Sequence, residues 1–110
     1  MRYYLIDEIS PADMKKIREF LQENALKSNL DGIFWVKIPP DLLTGEQYEH
    51  QGCQPHAFAA EVGSSWVKME CFVRSLKGMR CTCAGYCTEA QRTYVFSFTH
   101  NMIEQLGIKT

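Results

Sequence analysis

Apolar residues recur at helical spacing near the start of the chain. Over residues 10–28 they form a single stripe, as expected for a helix with one buried face. The stripe consists of Met14, Ile17, Leu21 and Ala25. Ser10 is a favourable N-cap, and Pro11 suits the first helical position, where a missing amide hydrogen costs nothing. The pattern predicts an amphipathic helix that ends near "NLDG".

A second helix is predicted over residues 88–108. Thr88 and Gln91 have the spacing of a capping box, in which each side chain bonds the backbone amide of the other. Gly107 stands where a left-handed residue ends many helices. The chain therefore has one helix near each end.

Between and before these helices, apolar and polar residues follow the patterns of strands. The strand candidates are residues 1–6, 33–40, 56–62, 64–75 and 79–83. Residues 41–56 read as a loop with one helical turn started by a Thr44–Gln47 capping box. Short connections between consecutive strands favour antiparallel pairing, with the helices on one face. The sequence predicts an α+β two-layer sandwich of order β-α-β-β-β-β-α, with a four- to five-stranded mainly antiparallel sheet in a single domain, 1–110.

The alternation within residues 66–74 predicts which side chains face the core. One face of this strand is apolar and carries Val67, Met69, Cys71 and Val73. A three-residue loop, 76–78, would keep all apolar residues of the following strand on that same face. It predicts the strand pairs Ser75–Met79, Val73–Cys81 and Cys71–Cys83. Under this register Cys71, Cys81 and Cys83 are buried small hydrophobes.

The remaining cysteines raise the question of redox or metal chemistry. Five cysteines are an odd number, and a reducing cytosol disfavours a disulfide framework. Cys87 precedes the predicted cap Thr88, so the helix N-terminus is expected to lower its pKa and make it the most reactive of the thiols near that helix.

A zinc site is the alternative for these residues. The candidate ligands are Cys53, His56, Cys83 and Cys87. The paired short knuckles typical of structural zinc are absent, and Cys53 and Cys87 are expected to lie too far apart to share an ion. No bound metal and no cofactor are predicted, and His50 and His56 are expected to be solvated loop residues.

Composition narrows the function classes. Twelve basic and thirteen acidic residues give a net charge of -1, so no overall field attracts nucleic acid or an anionic membrane. No segment has the length of a signal peptide's apolar region or of a bilayer span, which predicts a cytoplasmic protein. The sequence contains no phosphate-binding glycine loop, nucleophile elbow or metalloprotease motif, so catalysis is not expected.

The polar side of the predicted sheet is unusually aromatic and basic. Its candidate binding residues are Trp35, Lys37, Trp66, Lys68, Phe72, Arg74 and Arg80. Contiguous exposed aromatic residues usually mark an interaction site. The leading prediction is a protein that acts through association without catalytic activity, either as a homodimer that packs sheet against sheet or as a module that binds another protein.

Three alternatives remain for this face and for the protein. The face could bind single-stranded nucleic acid or a small anionic ligand through stacking and basic side chains. A segment of the chain itself, either "RYYLI" or residues 39–56, could instead cover the rings. The third alternative is a zinc-stabilised or thiol-reactive domain.

Overall fold

The computed structural model describes residues 2–77 and 81–109, and within them it contains seven strands and three α-helices. In chain order the elements are β1 (Tyr3–Ile6), α1 (Pro11–Asn24), β2 (Leu26–Lys27), β3 (Ile33–Lys37), α2 (Gly45–Glu49), β4 (His56–Val62), β5 (Val67–Glu70), β6 (Phe72–Ser75), β7 (Gly85–Tyr86) and α3 (Glu89–Leu106). Two short 3-10 turns, Pro40–Leu42 and Gln51–Cys53, flank α2. The protein is an α+β sandwich with a mainly antiparallel open sheet, as predicted.

The sheet has more strands than predicted. One predicted strand is divided in two, and two further strands, β2 and β7, have only two residues each. Its order is β1-β5-β4-β3-β2, with every neighbouring pair antiparallel, while β6 pairs with β4 and with β7. The predicted strand 64–75 breaks at Cys71. There the backbone N–H donates to the carbonyl of Arg2 at 2.9 Å, and the carbonyl accepts from the N–H of Cys87 at 3.1 Å.

The core lies between one face of the sheet and the helices α1 and α3. Met14, Ile17 and Leu21 of α1 are buried, and so are the predicted inward residues of β3, β5 and β6: Phe34, Val36, Val67, Met69 and Val73. Ala25, the last residue of the predicted stripe, is the half-buried C-cap of the helix. The ring of Phe58, on β4, meets Tyr94 and Phe98 of α3 edge to face, with centroids 6.5 and 5.8 Å apart. Both long helices therefore cover the same face.

The helices begin at the capping residues that the sequence indicated, but α1 ends at Asn24, earlier than predicted, because Leu26–Lys27 pair with β3 as the strand β2. Ser10 accepts from the N–H of Asp13 at the start of α1, and Thr88 forms the expected capping box with Gln91 at the start of α3. Gly107 ends α3 in the left-handed conformation, with φ 67°. Across the described part of the chain, no helix has both the length and the apolar character needed to cross a membrane.

The predicted hairpin register is wrong. Val73 pairs with Gly85, not with Cys81, and Phe72 pairs with Tyr86. Residues 81–84 form a turn, not a strand, and Met79 lies outside the described residues. The register is displaced by four positions. Alternation of period two is unchanged by an even displacement, so the pattern could not reveal this error.

Candidate metal centre and open sheet face

Four side chains converge at the end of the molecule where α2 and the 81–84 turn meet. They are His50, Cys53, Cys81 and Cys83, and their ligand atoms all lie within 4.8 Å of one another. His50 is the C-cap of α2, and Cys53 ends the 3-10 turn that follows. The other two come from the turn that replaces the predicted strand. Cys83 is buried, while the other three are partly exposed.

The spacing of this Cys/His cluster, as we call the four residues, suits a single tetrahedral ion. The Nδ1 atom of His50 lies 2.8 Å from the sulfur of Cys81. Around Zn²⁺, with Zn–S bonds of about 2.3 Å, neighbouring ligand sulfurs lie about 3.8 Å apart. The observed limit of 4.8 Å is therefore wider than a loaded site by only about 1 Å.

Hydrogen bonding distributes the protons unequally within the cluster. The pKa of Cys81 is lowered to about 6 by bonds to its sulfur, chiefly from the backbone N–H of Cys83 and then from the side chains of Cys83, Cys53 and His50. Burial, followed by the neighbouring Cys81 and Cys53, raises the pKa of Cys83 to about 12. A thiolate on Cys81 is therefore held by its neighbours in the metal-free protein. The prediction that Cys81 is a buried hydrophobe is wrong.

His56 supports the cluster from inside the protein. It is the first residue of β4 and almost completely buried, contrary to the prediction of a solvated loop residue. Its Nε2 lies 3.3 Å from the sulfur of Cys83, and its Nδ1 has no hydrogen-bond partner in the structure. Burial, with a smaller effect of the His50 charge, lowers the pKa of His56 and favours the neutral ring.

Two buried glutamines fix the backbone around the cluster. Gln47 completes the capping box of α2, as predicted from Thr44, and its Nε2 also donates to the carbonyl of Cys83 at 3.0 Å. Gln91 completes the capping box of α3, and its Nε2 donates to the Oε1 of Gln47 and to the carbonyl of Leu42, both at 2.9 Å. Each amide therefore serves a helix end and a loop at once, which orders both halves of the cluster.

Cys71 and Cys87 lie apart from this cluster, next to each other in the core. The buried position of Cys71 was predicted, and burial raises the pKa of its thiol. The predicted activation of Cys87 is wrong. Burial, followed by the neighbouring Cys71, raises its pKa to about 11, because the side chain packs against the core. The candidate zinc set therefore shares only Cys53 and Cys83 with the observed cluster.

The opposite face of the sheet is open to solvent, and we call it the open face. Four predicted site residues line one depression there, with a volume of about 460 Å³: Trp35, Lys68, Phe72 and Arg74. Arg2, Tyr3 and Tyr86, which the sequence did not single out, line it as well. Lys37 and Trp66 are not part of its lining, and Arg80 lies outside the described residues.

The basic side chains of the open face have neighbours on that face. Lys68 forms an ion pair with Glu61 at 3.4 Å. Arg74 donates two hydrogen bonds to the carboxylate of Glu70, at 3.0 and 3.2 Å, and lies 4.6 Å from the centroid of the Phe72 ring. Positive and negative groups therefore alternate among the aromatic rings.

Trp66 lies at the border of the open face, where the Nζ atom of Lys68 is 5.9 Å from the centroid of its ring, and it also packs on the neighbouring turn. It precedes β5, and its half-buried ring packs so closely on Gly63 that a Cβ atom added there would stand 2.1 Å from the ring. The carbonyl of Gly63 also accepts a bond from Arg18 of α1 at 2.8 Å. The tryptophan is thus part of the turn between β4 and β5. Sequence alternation could not separate this turn from the strand that follows it.

The segment "RYYLI", suggested as a cover for the aromatic rings, lies within the sheet instead of across it. β1 is an edge strand beside β5, and it adds Tyr3 to the open face. Leu42, within residues 39–56, accepts a hydrogen bond from Gln91 at the start of α3. The rings of Trp35, Trp66 and Phe72 are half-buried, whereas Tyr3 and Tyr86 are exposed, at 51% and 57%.

Known proteins were compared with this chain as family models, curated sequences and solved structures. None of the three comparisons found a match. The Cys/His cluster and the open face are therefore the two features from which a role can be inferred.

Proposed function

We propose that this chain is an association module that forms a homodimer by packing the open faces of two copies together. The observation that carries the proposal is the one-sided sheet: α1 and α3 cover one face, while the other presents exposed apolar side chains. These are Tyr3, Leu5, Leu26, Leu30 and Tyr86. Large apolar side chains gathered on one exposed face and bordered by polar residues usually mark an interaction site.

The charges on the open face favour a second copy over nucleic acid. Lys68 and Arg74 already pair with Glu61 and Glu70, so binding phosphates would require those ion pairs to break or be shared. A surface that alternates both signs can instead pair with itself across a two-fold axis, where the same patch contributes both partners of each contact.

The size of the face agrees with the centre of a dimer interface. The strands β1, β5, β4, β3 and β2 are two to seven residues long. At about 4.8 Å between strands and about 3.3 Å per residue they cover about 350 Å² in projection, without the relief of the side chains. Stable interfaces bury about 800 Å² on each partner, so the loops that border the open face must contribute as well. Aromatic and arginine side chains, here Trp35, Phe72 and Arg74, are typical anchors at the centre of such interfaces.

A small planar anion is the second candidate for the open face. Arg2 lies over the ring of Tyr86, with its guanidinium carbon 4.2 Å from the ring centroid. The pair borders the depression described above, and a ligand could stack there beside a cation. This would make the protein a binding module without dimerisation.

The test is a matched pair of charge substitutions. Tyr3→Glu places a carboxylate on the open face, whereas Tyr48→Glu changes an equally exposed tyrosine (55% against 51%) on α2. Burial of an unpaired charge should weaken dimerisation about 100-fold for Tyr3→Glu and leave Tyr48→Glu unchanged. Light scattering after size exclusion and analytical ultracentrifugation measure the mass, at low and at high salt.

A dimer mass that survives high salt and is lost only in Tyr3→Glu supports the proposal. A monomeric parent protein at concentrations near 1 mM would overturn it. The depression would then be tested with mononucleotides by calorimetry, where Arg2→Ala should abolish binding.

A further inference from the structure

We infer that the Cys/His cluster is a structural zinc site, with His50, Cys53, Cys81 and Cys83 as the four ligands. Three thiolates and one imidazole form one of the common ligand sets of structural Zn²⁺. Four protein ligands fill a tetrahedron, which leaves no open position for a substrate or a catalytic water. The inference replaces the expectation of no metal and is independent of the proposed dimer.

The proximity of the four side chains is the first argument. They come from two segments about 30 residues apart in the chain, and both segments are irregular or end short helices. Cysteines that serve as small hydrophobes are usually buried. Cys71 shows that usual arrangement in this same protein. Packing of the core therefore does not explain why three sulfurs and an imidazole meet at one partly exposed point.

The surrounding hydrogen bonds are the second argument. Once a metal binds, Cys83 is a thiolate and can only accept, so His56 must carry its proton on Nε2 and donate it across the observed 3.3 Å. The buried, neutral ring of His56 is suited to this, and outer partners of this kind orient metal ligands. On the other side, the hydroxyl of Thr82 donates to Glu46 of α2 at 2.9 Å, which joins the two ligand segments directly.

The ligand spacing excludes two other uses of the thiols. The five cysteines are free, and a disulfide would use two sulfurs and leave the imidazole of His50 without a role. Ligand atoms within 4.8 Å of one another enclose one ion, whereas a cluster of several irons holds its cysteines farther apart. Among single ions, tetrahedral sulfur and nitrogen donors favour Zn²⁺ over the oxygen-seeking Mg²⁺ and Ca²⁺.

The test begins with metal-free protein, prepared with a chelator under reducing conditions and titrated with Co²⁺ alone. The unmodified chain should saturate at one Co²⁺ per chain, with the strong visible bands of a tetrahedral site and a thiolate charge-transfer band. One equivalent of Zn²⁺ should displace the cobalt. Cys81→Ser should weaken Zn²⁺ binding at least about 100-fold, since even changing a residue that only hydrogen-bonds a ligand lowers metal affinity about 10- to 100-fold. Cys87→Ser, a matched control away from the cluster, should change it less than about 2-fold.

X-ray absorption of the zinc-loaded, unmodified protein keeps the inference testable if Cys81→Ser fails to fold. The expected first shell has three sulfurs at about 2.3 Å and one nitrogen at about 2.0–2.1 Å. A shell of oxygen and nitrogen only, less than about 0.1 Zn²⁺ per chain after loading, or equal loss of binding in Cys87→Ser and Cys81→Ser would each overturn it.

Discussion

The Cys/His cluster, on loops at one end of the molecule, and the open face of the sheet are built in opposite ways. At the cluster the backbone is irregular, and buried amides of Gln47 and Gln91 hold each loop in place. At the open face the backbone is regular, and the side chains project into solvent. The first arrangement fixes atoms relative to one another, which suits a metal ion. The second leaves a broad surface whose contacts are unfilled, which suits a partner.

The difference predicts where substitutions act. Changes at the cluster should alter the stability of the single chain, because they leave polar groups and thiols of a partly buried network without their partners. Changes on the open face should alter association and leave the stability of the chain within about 0.5 kcal/mol, as for most surface positions.

The largest effect should follow removal of zinc. If the free metal is about 1,000 times its Kd, binding contributes about 4 kcal/mol to the free energy of unfolding. For a domain of this size, a chelator should then lower Tm by about 15–30 °C. Calorimetry under reducing conditions, with and without chelator, measures the shift. Equal Tm values in the two samples would contradict a structural metal and reduce the cluster to a group of neighbouring thiols.

Gln91→Ala should be the most damaging substitution that removes no metal ligand. It leaves the carbonyl of Leu42 and the N–H of Thr88 without their bonds and deprives Gln47 of a donor. Unsatisfied buried groups cost about 1–3 kcal/mol each, so a loss of about 2–4 kcal/mol is expected after relaxation. Urea unfolding measures it. Gln105→Ala, at an exposed position of the same helix, is the control and should stay within about 0.5 kcal/mol.

Gly63→Ala should test the packing of Trp66 on the turn between β4 and β5. The new methyl group would collide with the indole ring, which must leave its place in the β4–β5 turn. Overpacking of this kind costs about 1–3 kcal/mol. Urea unfolding and tryptophan fluorescence should both change. Gly45→Ala, where a Cβ has no neighbour within 4 Å, should change neither. An unaltered fluorescence spectrum in Gly63→Ala would contradict the packing of Trp66 on this turn.

The smallest effect concerns the thiol of Cys87 at alkaline pH. Its folded pKa, raised by burial to about 11, lies above the unfolded value of 9.0. Stability from this neutral thiol is therefore complete below pH 9 and is lost as the pH rises from 9 to 11, because the unfolded state ionises first. Urea midpoints at pH 8 and 10.5 should differ less in Cys87→Ser than in the parent protein. An identical difference in both would contradict the assignment.

Sequence periodicity predicted the fold class and the two faces of the sheet because both depend on alternation alone. Phe34 and Met69 point into the core, while Trp35 and Lys68 lie on the open face, as expected from their positions. The cap residues Ser10, Thr44 and Thr88 also predicted where the helices begin, since each acts through a bond to an amide three residues away.

The cluster could not be predicted in the same way. A hairpin register displaced by an even number of residues shows the same alternation of apolar and polar positions as the predicted register. Alternation therefore did not show that Cys81 lies outside the strand and contacts His50. The spacings His50-x2-Cys53 and Cys81-x-Cys83 were the available signals. Joining them required knowing that two loops meet, and the meeting depends on buried glutamines whose partners lie more than 30 residues away in the chain.

The strand order has a consequence for how the chain is made. β1 pairs with β5, so Tyr3 meets Glu70 only after more than 60 further residues have been synthesised. Until then the aromatic segment β1 has no sheet to join, and closing so long a loop is slow. The cluster residues Cys81 and Cys83 are made later still. This edge of the sheet can therefore form only after β5 has been made, and the Cys/His cluster only after that.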